Sequence, residues 1–275
     1  MKKLTIILLI IMVIFAGCNT EPADINGNNT NRDSLEDFRS HIEQQFENPS
    51  EIKAYLDQLL EDADTTISDE LILEYLCYMD RILTVDAKNI LVYPEDAGFK
   101  YVSNEGAAYP VIDYHFIDAY SEQISQEIKD FAEFMALNSD TPWAMDASIS
   151  IPIKDLADRI ALAEQFITNY PSSVLKDTVK LQFEYYLNAL LAGTDNTPLF
   201  QFDTYTADFE FIEAYEYLLK TYPELEVTNT VENFQLELEA INYKAPYTYT
   251  EYDKRAKFKE HINELVKNTI SQLDN

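Results

Sequence analysis

Glycine is scarce in this chain, with five residues in 275. That leaves little material for tight turns and none for a glycine-rich phosphate loop. Histidine is also rare: His41, His115 and His261 are scattered, and neither an HExxH nor a paired-cysteine spacing exists to ligate zinc. Basic residues are outnumbered, 20 against 49 acidic ones, for a net charge of −29. A body this acidic repels phosphate backbones and anionic headgroups, which argues against nucleic acid or electrostatic membrane docking as its business. No G-x-S-x-G elbow is present, so a nucleophilic serine finds no support. Long apolar runs are missing too. The longest, Leu4 to Phe15, interrupted only by Thr5, is shorter than the roughly 20 residues that a membrane-spanning helix needs.

What the chain does contain is apolar and aromatic: 47% hydrophobic residues and 13% aromatics, including 19 tyrosines. With glycine low and Leu, Ala and charge abundant, this composition favours helices. Most tyrosines fall at helical core spacing. A phenol also offers a flat apolar face and a polar tip, so some could line a carbohydrate or peptide groove.

The first eighteen residues have the layout of a secretory signal: Lys2 and Lys3, the apolar run, then Phe15-Ala16-Gly17-Cys18. This stretch resembles the lipobox of bacterial lipoproteins, with Phe15 where that family usually has Leu. The resemblance implies cleavage after residue 17, acylation of Cys18 and anchoring on the extracytoplasmic face of the cell membrane. Residues 18–33 are polar and read as a flexible tether. With Cys18 acylated, Cys77 has no partner within the chain for a disulfide. Its setting, Leu71 to Met79, makes it a small hydrophobe.

Two regions follow, 34–142 and 143–275. Ser34 reads as the N-cap of a first helix that Pro49 ends; a second carries Ile52, Tyr55, Leu56 and Leu59; Ser68 reads as the cap of a third, running to about Val85. The run Asp62 to Ser68 imitates a calcium loop, but Ile67 and Leu73 occupy its glycine and glutamate positions, so it reads as a helix connector. Around 90–116, short β-rich runs punctuated by Pro and Gly (Ile90 to Pro94, Phe99 to Val102, Tyr109 to Ile112) indicate a small β-hairpin or irregular insertion. Helical spacing returns with Ile117, Tyr120, Ile124, Ile128, Phe131 and Met135. It is strongest along Ile153, Leu156, Ile160, Ala163, Ile167 and Tyr170.

Two segments repeat at an offset of fifty-two residues: Phe166 to Pro171 matches Leu218 to Pro223, and Asp177-Thr178-Val179 matches Asn229-Thr230-Val231. Each ends a helix before Pro, where the preceding residue is pushed out of α space. The unit resembles the helical hairpins of tetratricopeptide-like proteins, although the period departs from 34 and the Trp and Gly signature positions are missing. The stretch from Trp143 to Phe200 also resembles segments of uncharacterised bacterial surface lipoproteins, which implies no activity. A last helix, to about Leu273, has a basic lean in Lys254, Arg255, Lys257, Lys259 and Lys267. It reads as a solvated capping helix, or as a contact for a partner's acidic face.

One polar cluster stands out, with Asp140, Trp143, Asp146, Asp155 and Arg159 around a short irregular segment. The sole tryptophan beside acids and an arginine could line a ligand pocket, with Trp143, Asp146, Asp155 and Arg159 as its binding residues. The alternative is a tryptophan plug, with Asp155 answering the helix dipole. The fold expected is predominantly all-α, in antiparallel helical hairpins that are TPR-like in the C-terminal half. The function expected is that of a non-enzymatic, membrane-anchored scaffold for a protein or peptide of the envelope, needing no cofactor, metal or catalytic residue. Behind it come a small-solute or glycan receptor with a pocket near Trp143, and then a carboxylate-dependent envelope hydrolase.

Overall fold

A computed structural model describes residues 29–85, 93–104, 106–248 and 250–274. The expected signal peptide, Cys18, the tether up to Asn28 and the run Ile90 to Val92 lie outside the described residues. Within them the chain is predominantly α-helical, with nine α-helices and two short antiparallel strand pairs. No helix among the described residues is long and apolar enough to cross a membrane. They form two compact units, one ending at Thr141 and the other beginning at Pro142.

In the first unit α1 (Asn29–Gln44), α2 (Pro49–Leu60) and α3 (Thr65–Val85) pack on one another. Pro49 opens α2, where its missing N–H costs nothing, and Ile52, Leu56 and Leu60 bury the helix's apolar stripe. Two helix starts differ from the sequence reading. Helix α1 already begins at Asn29, so residues 29–33 of the expected tether are helical and Ser34 lies inside the helix. Helix α3 begins at Thr65, and Asp64 Oδ1 accepts the Ile67 N–H at 3.0 Å. Asp64 thus does the capping expected of Ser68, which is buried within the helix. The same bond explains the acidic run that imitates a calcium loop: it is a helix start. Cys77, half-buried on α3, is not a free thiol, which corrects the expectation of an unpaired cysteine there.

The insertion is a hairpin, β1 (Phe99–Asn104) paired with β2 (Ala107–Ile112), from Phe99↔Ile112 to Asn104↔Ala107. Residues 95–97, just before the hairpin, form a 3-10 turn. Gly98 follows at φ +78°, where an added Cβ would lie 2.8 Å from the Phe116 ring. A 3-10 segment (Tyr114–Tyr120) and α4 (Gln126–Asp140) complete the unit. The periodic residues Ile117 to Met135 are all buried as expected, but Ile117 and Tyr120 lie in the 3-10 segment, Ile124 in the turn after it, and Ile128, Phe131 and Met135 in α4. Ser125 restarts the helix by accepting the Ile128 N–H.

The second unit starts with a two-residue hairpin, β3 (Ala144–Met145) and β4 (Ser148–Ile149), turned by Asp146 and Ala147 at positive φ. Helices α5 (Ile153–Asn169) and α6 (Lys176–Ala192) form one helical hairpin, α7 (Phe209–Thr221) and α8 (Glu226–Ala240) a second. Helix α9 (Tyr252–Gln272) packs on α6 and α8, and α5 packs on α7. The fifty-two-residue offset is repeated in the backbone. Tyr170 sits at φ −124°, ψ 62° and Tyr222 at φ −128°, ψ 51°. Each donates its N–H to a helical carbonyl at 2.9 Å, of Phe166 and Leu218 respectively. The carbonyl of each tyrosine then accepts the N–H of the residue three further on, Ser173 for Tyr170 and Leu225 for Tyr222. Val179 and Val231 are buried at matching places after the turns.

Two carboxylates on α5 fasten the hairpins together. Asp158 accepts from the phenols of Tyr217 and Tyr222, at 2.8 and 2.7 Å. Glu164, 3% exposed, accepts from the backbone N–H groups of Glu226 at 2.5 Å and Val227 at 3.0 Å. It is a helix cap for α8 supplied by another hairpin, meeting both the orphan donors and the positive end of the dipole. Burial raises the Glu164 carboxyl above its ordinary range, and the two N–H groups offset part of that rise. Removing the carboxylate strands two donors inside the protein, at a cost of about 1–3 kcal/mol for such a group. Glu164→Ala is therefore expected to lower the unfolding free energy by about 2–3 kcal/mol in urea denaturation, and Glu164→Gln, which keeps one acceptor, by less. A loss in Glu164→Ala below about 0.5 kcal/mol, the level of an ordinary surface change, contradicts this role.

Candidate functional site

The four residues expected to line a pocket take separate structural duties. Trp143 is 7% exposed, with its ring edge-on to Tyr186 at 5.9 Å. Arg159 is also buried, its guanidinium 6.0 Å from the centre of that same Tyr186 ring. Asp146 is exposed at the β3–β4 turn, and its backbone carbonyl accepts from Asn196 Nδ2 at 2.6 Å. Asp155 stands in the first turn of α5, where its charge answers the helix dipole. Asp140, the fifth member of the cluster, belongs to the first unit. None of them lines either cavity described below.

A cavity of about 170 Å³ lies in the second unit, between the segment joining the two hairpins and α9. Its aromatic wall contains Phe200, Phe202, Tyr205, Tyr247 and Phe258. Phe258 on α9 lies 5.6 Å from both Phe200 and Tyr247, ring centre to ring centre. Phe200 and Tyr247 meet edge-on at 6.1 Å. The mouth is polar. Arg255 and Lys259, one turn apart on α9, face the connecting segment, where Asp195 Oδ1 lies 3.6 Å from the Arg255 guanidinium. Lys259 has no ion-pair partner among the described residues.

The connecting segment is held in shape from several sides. Gly193 starts it at φ +72°, where a Cβ would come within 2.3 Å of the Thr197 carbonyl oxygen. Asn196 N–H donates to the Ala147 carbonyl, and Thr197 Oγ1 accepts the Ile149 N–H, so the small β3–β4 hairpin braces this loop. Tyr205 adopts φ +55°, a left-handed conformation that is unusual for a bulky residue. It is fixed there by its N–H to the Gln201 carbonyl at 3.0 Å and by its own carbonyl to the Ala245 N–H at 2.7 Å. The next two residues, Thr206 and Ala207, open a shallower apolar groove with Phe209, Ile212 and Tyr243. Phe209 is 63% exposed there.

The pocket was not apparent from sequence spacing because its walls come from residues 192–205, 247 and 255–259. Two signals were nonetheless present: the basic lean of the last helix, and the cluster Phe200, Phe202, Tyr205 inside a loop. The Tyr-rich turn after Pro246 contributes Tyr247.

A second polar cluster, in the first unit, joins residues that sequence had left scattered. Lys100 on β1 donates to Asp113 at 3.1 Å and to Asp140 at the end of α4. His115 Nε2 lies 2.9 Å from Asp140 and its Nδ1 3.3 Å from Asp118. Asp113, His115 and Asp140 offer ligand atoms within 4.8 Å of one another, the geometry of a small cation site. The Lys100 ammonium already stands between the two carboxylates, so the group works as an ion-pair clasp from the β1–β2 hairpin to α4. Elsewhere in this unit, burial raises Asp80 to about 6, a value suited to a general acid, but Asp80 lines neither cavity.

The hydrogen bond to Asp140 raises the His115 pKa above 6.5, helped by Asp118 and opposed by partial desolvation. Desolvation pushes the Asp140 carboxyl up, but the bonds from Lys100 and His115 outweigh it and hold the group below 3.8. His115 thus contributes stability that is complete below pH 6.5 and is lost as pH rises through its raised folded value. Asp140's share is complete above 3.8 and is lost as pH falls through its lowered value. Proton NMR titration should place the His115 midpoint above 6.5, and Asp140→Asn should bring it down. A midpoint unchanged by that substitution contradicts the clasp.

Compared with protein families, with curated proteins and with solved structures, the chain matches none.

Proposed function

We propose that this chain is a lipid-anchored, extracytoplasmic and non-enzymatic scaffold whose second unit binds a peptide segment of a partner protein in the cell envelope. The observation that carries the reading is the pairing of a helical-hairpin stack with a small aromatic pocket and a separate apolar groove, whose walls take consecutive residues of one segment, Tyr205 for the pocket and Thr206-Ala207 for the groove. The enclosed pocket, about 170 Å³, falls below the roughly 300–1,000 Å³ of sites that enclose a whole small molecule, and the groove, about 390 Å³, is open to solvent and encloses nothing. The pocket's size suits one side chain of a longer ligand, the rest of which can lie along the groove. This favours a peptide scaffold over a solute receptor. The anchor rests on Cys18 and the resemblance to a lipobox; because the chain has two cysteines and Cys77 is not a free thiol, this reading requires that the two be unpaired in the acylated protein.

One experiment addresses both parts. The full chain, expressed in bacteria with a labelled fatty acid, is expected to carry the label in the wild type and to lose it in Cys18→Ser. The labelled protein, presented to a random peptide library with free carboxyl ends, is expected to enrich peptides that share an anchor residue. Recovery of Cys18 unlipidated, or in a disulfide with Cys77, contradicts the anchor. Failure to enrich any common motif contradicts the scaffold.

A further inference from the structure

We propose that the aromatic pocket between the 193–205 segment and α9 is a receptor for the carboxyl end of a peptide whose last side chain is apolar or aromatic. This rests on the peptide-scaffold reading and specifies which part of the peptide enters the pocket. The wall of phenyl and phenol rings selects an apolar body. An aromatic wall of this kind could equally cage an organic cation through its ring faces. Arg255 and Lys259 decide against that, because a cation entering the pocket would meet two positive side chains across one helical turn. Asp195, 3.6 Å from Arg255, is the one acid among the described lining residues, against two cations, so the lining carries a net positive charge.

That local sign is the reverse of the whole chain's −29. Most of the surface repels an anion, and this mouth attracts one. A guanidinium meets a carboxylate with paired donors, and the ammonium of Lys259 can take the remaining lone pairs. The backbone supports the same assignment. Tyr205, held at φ +55° by two backbone hydrogen bonds, is a strained residue on the pocket wall, and such strain concentrates where a binding surface is pre-shaped. The neighbouring segment also lines an apolar groove with Thr206, Ala207, Phe209 and Ile212, a surface that suits the residues before the carboxyl end.

The test uses the full chain and two probes, N-acetyl-Gly-Gly-Phe with a free carboxyl end and the same peptide with a terminal amide. Titration calorimetry should detect the acid, with the amide weaker by about tenfold or more, as expected for a lost charge-assisted hydrogen bond. Aromatic carbon–proton NMR should confine the acid's shifts to the rings of the pocket wall. Lys259→Gln, at an exposed position with no ion pair among the described residues, should weaken the acid alone by a comparable factor while the unfolding midpoint stays unchanged. Arg255→Gln should do the same or more. Equal binding of acid and amide, or no detectable binding of the acid, overturns the proposal. If library peptides are enriched but bind the Arg255→Gln, Lys259→Gln double variant undiminished, this inference fails and the scaffold reading survives. If no peptide is enriched, the scaffold reading itself fails.

Discussion

A buried carboxylate that caps a distant helix is the contact on which the second unit depends. Glu164 sits on α5, yet the backbone it satisfies belongs to the first turn of α8. Two helical hairpins joined by a long irregular connection could slide or splay, since apolar packing is not directional. Hydrogen bonds from two consecutive N–H groups to one carboxylate fix both distance and angle. Asp158, six residues earlier on the same helix, does the corresponding work at the Tyr222 turn through two phenols. Together they make α5 the reference against which α7 and α8 are set.

The pocket follows from that arrangement. Its walls come from the connection between the hairpins and from α9, which packs on one helix of each. Lys176 and Lys180 on α6 hold Asp274 just beyond the end of α9, and Thr230 on α8 meets Thr269 through a 2.7 Å hydroxyl contact. The stacking of α6 and α8 therefore sets where Arg255, Phe258 and Lys259 stand. A cavity made this way is preorganised by the scaffold, so little ordering cost falls on the moment of binding.

Most of the helical architecture was legible in the sequence because it depends on local rules. Apolar spacing of three and four marked the buried faces of α2 and α5, and prolines marked the turns. The Tyr-Pro repeat was legible for the same reason: the restriction that Pro places on the preceding residue acts identically in both copies. Where helices begin was less legible at Ser34 and Ser68, because several residues near each start could cap. At α3 the choice fell to Asp64. The candidate site was largely illegible. Trp143 and Arg159 looked like a pocket because a lone tryptophan near charges is conspicuous, yet both pack on Tyr186. The cavity described above joins residues some sixty positions apart, from Gly193 to Lys259, and Glu164 looks in sequence like one more acid among 49.

The most direct measurement of the central claim is native-state hydrogen exchange at the amides of Glu226 and Val227. First-turn amides of a helix capped only by water exchange through local fraying, at little free-energy cost. With Glu164 as acceptor, both should exchange only when the hairpin stack opens, with protection close to that of the buried α5 core and lost in Glu164→Ala. Rapid exchange of both amides in the wild-type protein would contradict the account.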